Sequence, residues 1–175
     1  MRIEEKFNKK LLVEGNDDQH VIWALCEQFK LDETFDVVDC VGFYKLIEQI
    51  PVRLKQSGVD TIGIMIDADS DLLIRWNSLK QLLSEKGFKI PNKLPKNGLI
   101  VIEKDKIKIG IWIMPDNNLN GMLEDFISFL VPATDSLLPI VNKHLSDIES
   151  KKLNKYKTMH KSKAIIHSWL AIQDD

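Results

Sequence analysis

Apolar residues follow two rhythms along this chain. Short unbroken runs alternate with stretches in which apolar positions recur every three or four residues. Lys10-Leu-Leu-Val13 is the first run, and Glu14-Gly15 stops it. An apolar run of roughly four to eight residues between stop signals reads as a buried strand. Asn16-Asp17-Asp18 then supplies helix-start residues, and Val21, Ile22, Leu25 and Phe29 follow at helical spacing. Residues 35–39 read as a second strand, broken by Gly42. Leu46, Ile47, Ile50 and Leu54 make one helix face, with Pro51 placed to kink that helix or end it early. Residues 61–66 are the clearest buried strand, and they stop abruptly at Asp67-Ala-Asp-Ser-Asp71. Leu72, Trp76, Leu79 and Leu83 mark a third helix, with Gly87 as its C-terminal stop.

Alternating strands and helices require an α/β fold with a mostly parallel sheet, right-handed crossovers and helices on both faces. The rhythm changes after Pro91. Residues 98–102 and 106–113 are two β-rich runs joined around Lys104-Asp105, which predicts an added antiparallel hairpin at the edge of the sheet. Residues 115–118 are a turn, and helices are expected over about 120–130, 135–148 and 157–172. With no repeat, low-complexity tract or linker, residues 1–175 read as one domain, with a core over about 10–126 and a helical extension over about 127–175.

Composition narrows the partners. The chain has 175 residues, 44% hydrophobic and 29% charged, the balance of a globular protein. A formal net charge of -2 argues against coating nucleic acid through bulk positive charge, though not against a local basic groove. Cys26 and Cys40 form no CxxC pair and read as small buried hydrophobes in a reducing compartment. No apolar run approaches the ~18 residues of a membrane span. The start, Met1-Arg-Ile-Glu-Glu-Lys6, is too charged for a signal peptide, so a cytoplasmic protein is expected.

The chemistry lies in the acids. In a parallel α/β sheet, ligands sit beyond the carboxyl ends of the strands. Glu14 and Asp67 each follow such an end, and Asp69 is two residues further on. If the first and third strands are neighbours, the three carboxyl groups should converge on one point. Clustered carboxylates raise one another's pKa unless a cation compensates. A hard divalent ion with oxygen ligands, magnesium or manganese, resolves the repulsion. The alternative is helix capping, which suits Asp17, Asp18 and Asp71 better than Glu14, Asp67 and Asp69. An EF-hand is excluded, because Leu72 and Ser78 stand where its glycine and glutamate belong. A haloacid-dehalogenase-like phosphatase would carry its Asp-x-Asp after the first strand, not the third.

Leu11-Leu-Val-Glu14-Gly15, followed by Ile66-Asp67-Ala-Asp69, resembles the TOPRIM domain of primases, topoisomerases and small nucleases. Glu14-x-x-x-Asp18 is similar to the OLD-family nuclease form of that domain. Gly121-Met-Leu-Glu124-Asp125 resembles the later acidic element of that form, and Gly42 fits a glycine common after the second strand. The chain as a whole also resembles a small stand-alone TOPRIM-like bacterial family. The resemblance implies a TOPRIM-like fold and a metal site drawn from Glu14, Asp18, Asp67, Asp69 and Glu124. Glu14, Asp67 and Asp69 would be the catalytic set. Asp67 and Asp69 would hold one metal, and Glu14 would bind metal or act as general base.

Six lysines fall between Lys151 and Lys163 with no acid among them, which leaves the rest of the chain strongly negative. They form either a solvated helix face or a phosphate-binding patch, with Lys157, Lys161 and Lys163 as candidates. The four histidines are scattered, although His160 and His167 could share a helix face. The four tryptophans read as packing. The expected function is magnesium-dependent phosphoryl transfer, most simply by a nuclease acting on DNA or RNA. The alternative is a non-catalytic subunit that binds metal and nucleotide or nucleic acid within a larger complex. A homodimer and a partner protein both stay open, and primase-like nucleotide transfer would need a template-binding domain.

Overall fold

The computed structural model describes residues 5–173; residues 1–4 and 174–175, and so most of the charged start weighed against a signal peptide, lie outside it. In chain order the elements are β1 (Lys9–Val13), α1 (Asn16–Gln28), β2 (Asp36–Asp39), α2 (Phe43–Arg53), β3 (Thr61–Asp67), α3 (Leu72–Glu85), β4 (Leu99–Val101), β5 (Lys108–Met114), α4 (Leu123–Leu130), α5 (Leu137–Ser150), a 3-10 turn (Thr158–His160) and α6 (Lys161–Leu170). The fold is α/β. One five-stranded sheet runs in the order β2-β1-β3-β5-β4. β1 is parallel to both β2 and β3, β3 is parallel to β5, and only β4 is antiparallel. The expected hairpin is therefore present, but only β4 lies at the edge. β5 is an interior strand between β3 and β4, and its residues are buried on both faces.

Side-chain alternation builds two cores. Ile62, Ile64 and Ile66 of β3, Ile109, Ile111 and Ile113 of β5, and Leu12 of β1 face one way. They pack on Leu46 and Ile50 of α2 and on Trp76, Leu79 and Leu83 of α3. The opposite face carries Val13, Val37, Met65 and Met114 against Val21 and Ile22 of α1 and Leu123 and Phe126 of α4. Burial on both faces is why these strands read as continuous apolar runs. Each fully buried isoleucine contributes about 1.5–3 kcal/mol.

Pro51 sits inside α2, which ends two residues later at Arg53, so Leu54 caps the helix rather than extending its face. Asp71 caps α3 by accepting the N–H groups of Leu73 and Ile74. Gly87, with φ 84°, ends that helix in the left-handed region, as the sequence predicts. Trp76 is packing, at 1% exposed. Trp23 is not, because it stands 39% exposed, off the stripe that α1 buries through Val21 and Ile22. Cys40 is buried and Cys26 half-buried. The lysines from Lys151 to Lys157 lie in a non-helical connection, so they do not share one helix face with Lys161 and Lys163. Among the described residues, no helix is long and apolar enough to cross a membrane.

Candidate functional site

β1 and β3 are parallel neighbours, so their carboxyl ends reach the same rim. Glu14 leaves the end of β1 and Asp67 closes β3. Their meeting is direct, since Glu14 Oε1 accepts the Asp67 backbone N–H at 2.9 Å. Asp18 lies one turn into α1, buried, with Oδ2 accepting the Gly15 N–H at 2.9 Å. It therefore serves the helix start as well as facing the other acids.

Glu124 comes from a distant stretch of chain, and a backbone contact explains its arrival. Asp69 has φ 51° and forms an isolated antiparallel bridge with Gly121, with N–H···O distances of 2.8 and 2.9 Å in the two directions. The bridge fixes the start of α4 against the loop after β3. Glu124, in the first turn of α4, is thereby buried at the same rim.

The five acids repel one another. Burial pushes the Asp67 carboxyl up to about 8, reinforced by the charges of Asp18, Glu14, Asp69 and Glu124. Asp67 Oδ1 is buried and, among the described residues, has no hydrogen-bond partner. Burial also raises Glu14 to about 6, opposed by the Asp67 N–H and by the charge of Arg75. Asp18 rises to about 6 for the same leading reason, against the Gly15 N–H. An orphaned carboxylate oxygen among acids calls for a proton or a cation.

A family model described as protein of unknown function (DUF3226) matches residues 8–175. The chain belongs to that family. No curated protein and no solved structure matches it. The match begins one residue before β1, so in this DUF3226 chain it takes in every strand and all five acids of the rim.

Two of those acids are turned toward protein cations. The Asp69 carboxylate pairs with Arg75, whose guanidinium lies 3.8 Å from the centre of the Phe43 ring. Glu124 Oε1 takes Lys163 Nζ at 2.9 Å and stands 3.5 Å from His167 Nε2. Among the described residues, no three carboxylate, imidazole or thiol groups stand close enough to hold a metal ion as the side chains lie. The expected convergence of Glu14, Asp67 and Asp69 therefore stops short. Glu14 and Asp67 lie side by side, while Asp69 is drawn off by Arg75.

The donor chemistry nonetheless suits a hard divalent ion. Every acid at the rim offers carboxylate oxygen, and among the described residues Asp67 Oδ1 has no partner. Of the candidate lysines, Lys163 reaches the rim. Lys161 pairs instead with Glu149 at 2.5 Å, and Lys157 precedes the 3-10 turn. Sequence reasoning missed Arg75 and weighed His167 only as a helix-face partner of His160, not as a partner of Glu124. Arg75 follows Asp71 at one helical turn, and His167 follows Lys163 at four residues on α6. Both spacings were visible, but neither revealed which acid the side chain would meet.

Proposed function

We propose that this DUF3226 chain is a TOPRIM-type domain and a magnesium-dependent phosphoryl-transfer enzyme, a nuclease cleaving DNA or RNA phosphodiesters in the cytoplasm. The observation that carries the reading is Asp67 Oδ1, buried without a partner and surrounded by the charges of four other acids. The parallel order β2-β1-β3-β5, with acids at the ends of β1 and β3, supports the same reading. Glu14, Asp67 and Asp69 would hold the ion, with Asp18 and Glu124 available to a second. Bound magnesium or manganese would neutralise these acids and stabilise charge developing on a phosphodiester.

The chain's own residues divide the remaining work. Glu14, raised to about 6, is suited to take a proton from attacking water at neutral pH if it is not itself a ligand. Lys163 and Arg75 bring positive charge to the rim, where they can attract and orient phosphate.

A second reading has its own support. The ion pairs of Asp69 with Arg75 and of Glu124 with Lys163 neutralise two of the five acids, which leaves fewer carboxylates for a two-metal reaction and suits a subunit that binds one ion and nucleic acid without cutting. Incubating the purified protein with labelled single- and double-stranded DNA and RNA, in magnesium, manganese or chelator, separates the two. Metal-dependent cleavage that Asp67→Asn abolishes supports the enzyme. Metal-dependent binding without cleavage supports the subunit.

A further inference from the structure

Among the described residues, β2 is the outermost strand on one side of the sheet and pairs with β1 alone. The Cys40 N–H donates to Val13 of β1. By the two-residue alternation of a strand, the backbone groups of Val37 and Asp39 must therefore point outward, away from the sheet. Among the described residues, the outward N–H groups of these two meet no acceptor. The outward carbonyl of Val37 is met by a side chain, Gln19 Nε2, at 2.5 Å. Gln19 thus satisfies the outward carbonyl of Val37 and leaves the two outward N–H groups open.

The space beside this edge is a cavity of about 1040 Å³, lined by β2 along its whole length and walled by α1 and α2. Trp23 stands in the α1 wall, 39% exposed, and Gln49 and Arg53 stand in the α2 wall. A strand of four or five residues, roughly 13–17 Å at 3.3 Å per residue, matches the length of β2.

Charge selects the occupant. Arg53 is matched by Glu5 at 2.6 Å and Lys10 by Asp36 at 2.6 Å. Glu33 and Asp39 remain as negative lining. A second copy of this chain paired edge to edge would bring the same acidic edge against itself, which is unfavourable. An extended segment carrying lysine or arginine is complementary. We propose that the β2 edge is a docking site for an extended basic segment of a partner protein, which adds to the sheet as a sixth strand and packs an apolar side chain on Trp23. Main-chain hydrogen bonds would give the affinity, and Glu33 and Asp39 the charge preference. The proposal does not rest on the reading of the acid rim or on phosphoryl transfer.

The test uses the full chain and two synthetic peptides, acetyl-Lys-Val-Lys-Val-Lys-Val-amide and its counterpart with Glu in place of Lys. Binding is followed by NMR, and amide exchange is read at Val37 and Asp39. The lysine peptide is expected to bind at least about tenfold more tightly than the glutamate peptide and to slow exchange at both amides. The double variant Glu33→Lys with Asp39→Lys should invert the preference. Both side chains lie outside the two cores, so a folded variant is expected, and its amide spectrum checks this. Equal binding of the two peptides, or binding without protection of Val37 and Asp39, overturns the proposal. Concentration-dependent protection of those amides in the absence of peptide, with dimer formation in sedimentation, overturns it in favour of a second copy.

Discussion

Glu14 Oε1 accepts the backbone N–H of Asp67 at 2.9 Å, tying the carboxyl end of β1 to that of β3 across 53 positions of sequence. The bond occupies one Glu14 oxygen and steadies the residue that carries the orphaned Oδ1. It also holds two acids together that would otherwise separate, so the rim is organised against its own repulsion.

Asp67→Asn makes position 67 permanently neutral while nearly preserving shape. Without metal the variant should be as stable as the parent or more so. At the size of this chain, each 1 kcal/mol corresponds to roughly 2–4 °C in Tm. Magnesium should raise the Tm of the parent by mass action and leave that of the variant unchanged. Thermal melts with and without magnesium check this. A destabilised metal-free variant that still responds to magnesium would mean that Asp67 is a structural residue.

The pH dependence of the metal-free protein has a definite sign. Asp67, Glu14 and Asp18 all have folded pKa values above their unfolded ones, at about 8, about 6 and about 6. The folded state therefore holds more protons, and stability falls as pH rises. Their contribution is fully present below about pH 4, shrinks through pH 6 and is gone above about pH 8. Urea midpoints across pH 4–9 should fall accordingly. Asp67→Asn should flatten the segment between pH 6 and 8, and magnesium should flatten the whole curve.

Arg75 holds Asp69 and stacks on Phe43. Arg75→Gln should destabilise the metal-free protein by on the order of 1 kcal/mol, since the pair is only partly buried. If Arg75 competes with metal for Asp69, the same variant should bind magnesium or manganese several-fold more tightly. Calorimetric titration with manganese measures this, and unchanged affinity would mean that Asp69 takes no part in metal binding.

Lys163→Ala should leave Glu124 buried without its ammonium partner, so it should lower stability more than Lys157→Ala does. If the basic segment binds nucleic acid, changing Lys157, Lys161 and Lys163 together to alanine should weaken binding and lower the salt slope by roughly 0.7–0.9 for each phosphate no longer neutralised. Anisotropy titrations at several salt concentrations report both.

The strands were legible because burial on both faces leaves continuous apolar runs, and 61–66 is the plainest of them. The order of helices followed from caps such as Asp71 and stops such as Gly87. Glu14 and Asp67 could be placed on one rim because strand ends in a parallel sheet point the same way. The direction of Asp69 could not be read, since it depends on Arg75 and Phe43, which meet only when α2 and α3 pack on the same face. Trp23 was misread because α1 is weakly amphipathic, so periodicity alone does not say which large side chains it leaves outside. The place of β5 inside the sheet was hidden for a related reason, because a run apolar on both faces suits an interior strand and a hairpin arm equally well.

The Asp69–Gly121 bridge dates the site within the life of the chain. Glu14, Asp18, Asp67 and Asp69 are all synthesised before α4 exists, and the counter-charge of Lys163 comes later still. A ribosome-bound chain that ends before Gly121 can pair β1 with β3 yet lacks both the bridge and Glu124. Completion of the rim therefore waits until α4 has been made, when loop closure over about fifty residues brings α4 in and α6 follows it. A nascent or truncated chain is thus expected to carry the sheet without the finished acid centre.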